Sequence, residues 1–179
     1  IILFSRSNED HMAHLDTVLH RLYSAGLTLS LKKCHFFKDT VGYLGHVIHP
    51  GKLAVAEKNT KALHSASNQT TQTELRSFLG LCNVYRRFIR GFAKVAAPLN
   101  ALLRKGESPN FGQLNTEQTQ SFEDLRARLL DPPILALPRK ECLFTFYADA
   151  SQEQIGCCLL QTQPDGTRHP IGYCSRGFT

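Results

Sequence analysis

The stretch TQTELRSFLGLCNVYRRFIR, Thr71 to Arg90, carries the strongest structural signal in the chain. Thr71 and Glu74 stand in the T-x-x-E spacing of a capping box, in which each side chain satisfies a backbone N–H left open at a helix start. Behind them Leu75, Phe78, Leu79, Cys82, Tyr85 and Ile89 recur at helical spacing. At roughly 100° per residue, Arg76, Arg86, Arg87 and Arg90 fall along one flank of that apolar face. Four guanidiniums so placed can follow a phosphate backbone without reading its sequence, and they can equally form a solvated helix face. Gly80 inside the run costs about 1 kcal/mol relative to Ala, which allows a kink.

The helical character continues on both sides. AKVAAPLNALLRKG predicts a further helix that ends at Gly106, with Pro98 in its first turn or marking a restart. Glu57–Ala66 is a short candidate helix upstream. Downstream, Asn115 and Gln118 can cap a last helix that buries Phe122, Leu125 and Leu129, and Asp131-Pro132-Pro133 stops it.

The two ends read differently. Ile1–Ser5 is β-branched and apolar and predicts a strand with no turn before it. Ser7 and Asp10 can cap a helix whose apolar positions are Met12, Leu15, Leu19 and Leu22, closed by Gly26. LTLSL and VGYLGHVI (Val41–Ile48) predict two strands, and His49–Lys52 ends the second. At the other end LFTFYAD, IGCCLLQT and HPIGYCS predict three strands, the last two joined by a Pro164-Asp165-Gly166 turn. The fold class is therefore α+β: strands and a helix, then a helical middle, then a hairpin sheet.

Charge is unevenly spread over the 179 residues. Residues 1–105 hold 15 Lys and Arg against 6 Asp and Glu, whereas residues 106–179 hold 6 against 9. The basic excess suits a polyanionic partner such as nucleic acid. No apolar run is long enough for a membrane span. The six cysteines show no C-x-x-C spacing and read as free thiols of a reducing compartment.

Asp149 closes an apolar strand, where a carboxylate can ligate a metal or cap the following turn. A two-metal phosphodiester site needs several such carboxylates. Lys32 and Lys33 follow a predicted strand, where a Lys can protonate or neutralise a departing phosphate, or simply stand solvated at an edge. His11, His14 and His20 lie on or near one helix without a Cys or carboxylate cluster to complete a metal set. There is no Gly-rich phosphate loop, no G-x-S-x-G and no H-E-x-x-H.

Taken in order, KKCHFF with VGYLGHVI, then ELRSFLGLCNVYRRFIRGFAKVAAPLNALLRKG, then SFEDLRARLLDPPILALP, then FTFYADAS with IGCCLLQ resemble the Pol polyprotein of Ty3/gypsy-type LTR retrotransposons over essentially the whole chain. The resemblance implies a late reverse transcriptase palm with a primer-grip hairpin in residues 1–56, a helical thumb in 57–135, and the first part of an RNase H-like domain in 136–179. It places Lys33 where a general acid toward pyrophosphate stands, and Tyr43, Leu44, Gly45 and His46 in the hairpin that grips the primer end. It places the Thr71–Arg90 helix in the thumb that holds the template–primer duplex, and Asp149 as the first of four acidic metal ligands of RNase H.

The polymerase aspartates of the Y-x-D-D turn would precede Ile1, and the other RNase H carboxylates would follow Thr179. The implied cofactor is Mg2+ or Mn2+. The implied partners are an RNA–DNA hybrid or DNA duplex and the remaining Pol domains (fingers, upstream palm, the rest of RNase H, integrase), with no membrane. The implied location is intracellular, in a cytoplasmic virus-like particle or the nucleus. Departures from the family are the absence of Trp, Cys174 in GYCSR where an aromatic is usual, and IRGFA without the usual Pro. The isolated stretch is then expected to bind duplex rather than to catalyse, the alternative being a nucleic-acid-binding relic or a non-functional remnant.

Overall fold

The computed structural model describes residues 1–57, 71–104 and 114–178, and within them helices and two antiparallel sheets. Helix α1 (Asn8–Ser24) starts where Ser7 accepts the Asp10 N–H and ends on Gly26, whose φ of 69° is the left-handed conformation a helix end needs. None of its residues is buried. The strands predicted at Ile1–Ser5 and LTLSL are not formed. Strand-like composition needs a ladder partner, and neither segment meets one among the described residues; Leu31–Lys33 is instead a short 3₁₀ turn.

VGYLGHVI is not one strand but a tight hairpin. Strand β1 (Val41–Tyr43) pairs with β2 (His46–His49), and Tyr43 faces His46 across a two-residue turn. Leu44 and Gly45 both have positive φ, 47° and 83°, as this turn requires. The chain then turns at Gly51 into β3 (Lys52–Val55), which pairs with β2. Strand β4 (Leu135–Ala136), 80 residues on, completes this sheet in the order β1-β2-β3-β4 through the pairs Lys52–Ala136 and Leu53–Leu135. The expected boundary at 135/136 therefore falls inside a strand.

Helix α2 (Gln72–Val84) has the Thr71/Glu74 capping box, and its predicted apolar positions Leu75, Phe78, Leu79 and Cys82 are its buried ones. It stops at Val84, and Arg86–Phe88 form a 3₁₀ turn. The single arginine flank drawn for one continuous helix is thus broken. Helix α3 (Phe92–Ala101) follows Gly91, whose φ is 67°, and carries Pro98 well inside it rather than in its first turn. Helix α4 (Thr116–Leu130) has the expected Asn115/Gln118 box. Most of the Glu57–Ala66 candidate helix, and Gly106, lie outside the described residues.

These helices share one core. Leu75, Cys82, Leu99, Leu125, Leu129 and Leu135 are fully buried, and Phe78 meets Phe122 at 4.5 Å between ring centroids. Each such side chain contributes roughly 1.5–3 kcal/mol by leaving water. Leu53 of β3 and Leu135 of β4 join the same cluster, so the first sheet and the helices fold as neighbours.

The second sheet is β5 (Phe144–Ala150), β6 (Gln154–Thr162) and β7 (Arg168–Gly177), in the predicted meander. Cys157 and Cys174 are direct cross-strand partners, with Cα atoms 5.1 Å apart, and are joined as a disulfide. This corrects the expectation of six free thiols: spacing along the chain does not reveal a pair that strand register brings together. Cys34, Cys82, Cys142 and Cys158 remain free. Gln161, buried in β6, accepts the Arg139 N–H at 3.0 Å and donates to the Arg139 carbonyl at 2.6 Å, tying the segment after β4 to the sheet.

Candidate nucleic-acid interface

The hairpin tip is built from backbone demands. A two-residue turn between twisted strands needs two left-handed residues, and only Gly45 takes that conformation freely. Leu44 takes it too, at a cost of about 1 kcal/mol or more, and is left 78% exposed. An apolar side chain held outward in a strained turn is placed to touch something else. Behind it the tip is fixed. The Gly45 carbonyl accepts the Ala56 N–H at 3.0 Å and the Tyr85 hydroxyl at 2.8 Å. The His46 ring stacks on Phe88 and meets the Tyr85 ring edge-on.

The four arginines have two different fates. Arg86 Nη2 donates to the Ser175 carbonyl at 2.5 Å, and its guanidinium lies over the Phe92 ring. Arg87 Nη2 donates to the Ile171 carbonyl at 3.3 Å. Both therefore face β7. Arg76 and Arg90 are exposed, and neither side chain has a hydrogen-bond or ion-pair partner among the described residues. Arg90 is held by its backbone instead: its carbonyl accepts Arg128 Nη1 at 3.0 Å, immediately before the left-handed Gly91.

Asp149 lies near the end of β5, opposite Gly156, on an exposed stretch. A cleft of about 400 Å³ brings it together with Arg90, Tyr147 and Cys158. The Cys158 thiol is pushed up by burial and drawn back by the Arg90 charge, and the Tyr173 phenol is raised chiefly by burial. Lys33 stands apart in the 3₁₀ turn at Leu31–Lys33, exposed to solvent. Among the described residues no group of three or more His, Cys, Asp and Glu is arranged to hold a metal ion. Asp149 by itself does not make a two-metal site.

Sequence reasoning missed Tyr85 and Ser175 as site-shaping residues. Tyr85 was legible only as an apolar helix position. Its hydroxyl was the available signal, because a buried phenol needs a partner.

The order of strand hairpin, helical unit and carboxylate-bearing meander runs between two family matches. Residues 1–48 match the family of reverse transcriptase (RNA-dependent DNA polymerase), and residues 114–179 match the RNase H-like domain found in reverse transcriptase. The chain's homologues are Pol polyproteins of Ty3/gypsy-type transposons. It is 36% identical over 176 residues to the retrovirus-related Pol polyprotein from transposon 297 of Drosophila melanogaster, covering 98% of this chain and 16% of that protein. It is 34% identical to the gypsy Pol polyprotein of the same fly, over 90% of this chain and 16% of that protein, and 31% identical to the Tf2-3 polyprotein of Schizosaccharomyces pombe, over 98% and 13%. The chain thus spans less than a fifth of the length of these relatives.

Among solved structures, the foamy viral protease–reverse transcriptase in complex with RNA/DNA hybrid superimposes with a TM-score of 0.81 at 25% identity, covering 99% of this chain and 24% of that one. A form of the foamy viral enzyme solved with double-stranded DNA gives the same score. Proteins of this family generally use divalent metals. No helix among the described residues is long and apolar enough to cross a membrane.

Proposed function

We propose that this chain is the duplex-gripping part of a retrotransposon RNA-directed DNA polymerase with RNase H, and that it binds an RNA–DNA hybrid or DNA duplex through the hairpin tip Tyr43–His46 and the thumb helix α2. The observation that carries this reading is the tip itself: an exposed Leu44 in a strained turn, braced from behind by Tyr85 and His46. A rigid apolar point, in a chain that also exposes the Arg76 and Arg90 guanidiniums, suits a polymer with a charged backbone and stacked, apolar bases.

In this reading Arg76 and Arg90 are the phosphate contacts. Arg86 and Arg87 also hold β7, so their contribution to binding is partly structural. Lys33 serves as a general acid toward pyrophosphate only where the polymerase carboxylates are supplied, and Asp149 gives one of several carboxylates to Mg2+ or Mn2+ in the assembled enzyme. The partners are then the other Pol domains, and the setting is intracellular. Piece by piece, residues 1–56 act as late palm and primer grip, 57–135 as thumb, and 136–179 as the beginning of RNase H.

The test is a fluorescence-anisotropy titration of a short RNA–DNA hybrid at two salt concentrations. Phosphate-driven binding weakens steeply with salt, because each neutralised phosphate releases counterions. Binding that ignores salt, or no binding at all, rejects the reading.

A further inference from the structure

We propose that Tyr85 and His46 are positioning residues that lock the hairpin tip to the C-terminal end of α2, so that tip and helix meet a duplex as one preset surface. The proposal rests on the duplex-binding reading above and adds to it two residues that act behind the contact surface rather than in it.

Four observations meet at this point. Tyr85 follows α2 directly and lies 40 positions from Gly45, yet its hydroxyl reaches the Gly45 carbonyl at 2.8 Å. That carbonyl belongs to the second left-handed residue of the turn, so the hydrogen bond holds the strained peptide itself. His46 closes the turn opposite Tyr43 and packs its ring between the aromatic side chains that follow α2: 5.3 Å from Tyr85 edge-on, and 5.8 Å from Phe88 nearly parallel. Its Nδ1 lies 3.1 Å from the Leu44 carbonyl, which only accepts, so Nδ1 carries the proton there. Its Nε2 is buried and meets no partner among the described residues.

An unpaired buried ring nitrogen is a cost, and so is Leu44 at positive φ. Leu44 does not serve the core, since it points out of it, whereas the His46 ring packs on the core residues Tyr85 and Phe88. Both are accounted for if the turn must be held in one pose. A preset tip loses less conformational freedom when it meets a ligand, and therefore binds more tightly than a mobile one with the same contacts.

The chain has no Trp, so Leu44→Trp gives a single fluorophore at the tip. The experiment compares the whole chain carrying Leu44→Trp with the same chain carrying Tyr85→Phe or His46→Asn in addition. Tyr85→Phe keeps the buried ring and removes only the hydroxyl. His46→Asn keeps a donor near the Nδ1 position and removes the ring. Each chain is read for Trp anisotropy alone and for Trp quenching by a short DNA duplex, with circular-dichroism melting as the control for folding.

The expected result is a lower tip anisotropy in both double variants and at least about a twofold weaker duplex quench, with cooperative melting retained. His46→Phe, which keeps the stack, restores most of the anisotropy. Unchanged anisotropy in Tyr85→Phe and His46→Asn chains that still melt cooperatively overturns the proposal. If anisotropy falls as expected but no chain is quenched by duplex, the lock stands and the duplex-binding reading of the tip falls.

Discussion

Arg86 and Ser175, 89 residues apart, are joined by a hydrogen bond from the guanidinium to the backbone carbonyl at 2.5 Å. The Ser175 hydroxyl in turn accepts the Ala93 N–H at 2.8 Å. Gly91 begins α3 without a capping side chain, so Ser175 caps that helix from another strand. The helical unit and the second sheet are thus held by shared hydrogen bonds as well as by apolar contact. Ser175→Ala leaves the Ala93 N–H without its partner in a part-buried site. It is expected to cost about 1 kcal/mol, read as a shift in the urea midpoint at unchanged slope. A slope change would mean instead that the helices and the sheet unfold separately.

Gln161 makes a second such tie. Its buried amide satisfies both backbone groups of Arg139. Gln161→Leu keeps the volume but strands an N–H and a carbonyl, and is expected to destabilise by roughly 2 kcal/mol. Chemical denaturation measures this directly, and a neutral result would show that water replaces the side chain.

Alkaline stability follows from Cys82. This thiol is fully buried on α2, and burial pushes its pKa up to about 12 from 9.0. The unfolded chain gives up the proton first as pH rises, so its thiolate favours unfolding between pH 9 and 12. Stability is intact below pH 9 and falls by up to about 1.4 kcal/mol per pH unit above it. Cys82→Ala is expected to flatten this part of the pH profile while lowering stability at neutral pH through the cavity it leaves.

The arginines separate into two groups in binding experiments. Arg76→Ala and Arg90→Ala are each expected to reduce the slope of log affinity against log salt by about one, with little change in melting. Arg86→Ala is expected to lower the melting temperature, because its hydrogen bond to β7 is lost. Equal effects from all four would restore the single flank that the helix end at Val84 breaks.

Local signals carried the sequence reading a long way. The boxes at Thr71/Glu74 and Asn115/Gln118 need only three residues of spacing, and both are present. The meander β5–β7 was legible because LFTFYAD alternates, IGCCLLQT is a short apolar run, and Pro164-Asp165-Gly166 marks the turn between the last two strands. Long-range pairings were not legible. Nothing in Lys52–Leu53 announces a ladder with Leu135–Ala136, and nothing near Cys157 announces Cys174. The reverse error occurred at Ile1–Ser5 and Leu27–Leu31, where strand composition stands without a partner strand among the described residues. Of the candidate site, the residue types were readable. The division of the arginines was not, because it depends on a helix ending at Val84 and a strand folding back beside it.

In the proposed function, duplex meets the hairpin tip and α2 together. Hydrogen-exchange mass spectrometry of the whole chain, with and without a short RNA–DNA hybrid, tests it most directly. Added protection is expected in peptides spanning Tyr43–His46 and Gln72–Arg90, with α1 unchanged. Protection confined to other segments, or none under conditions where anisotropy shows binding, would contradict it.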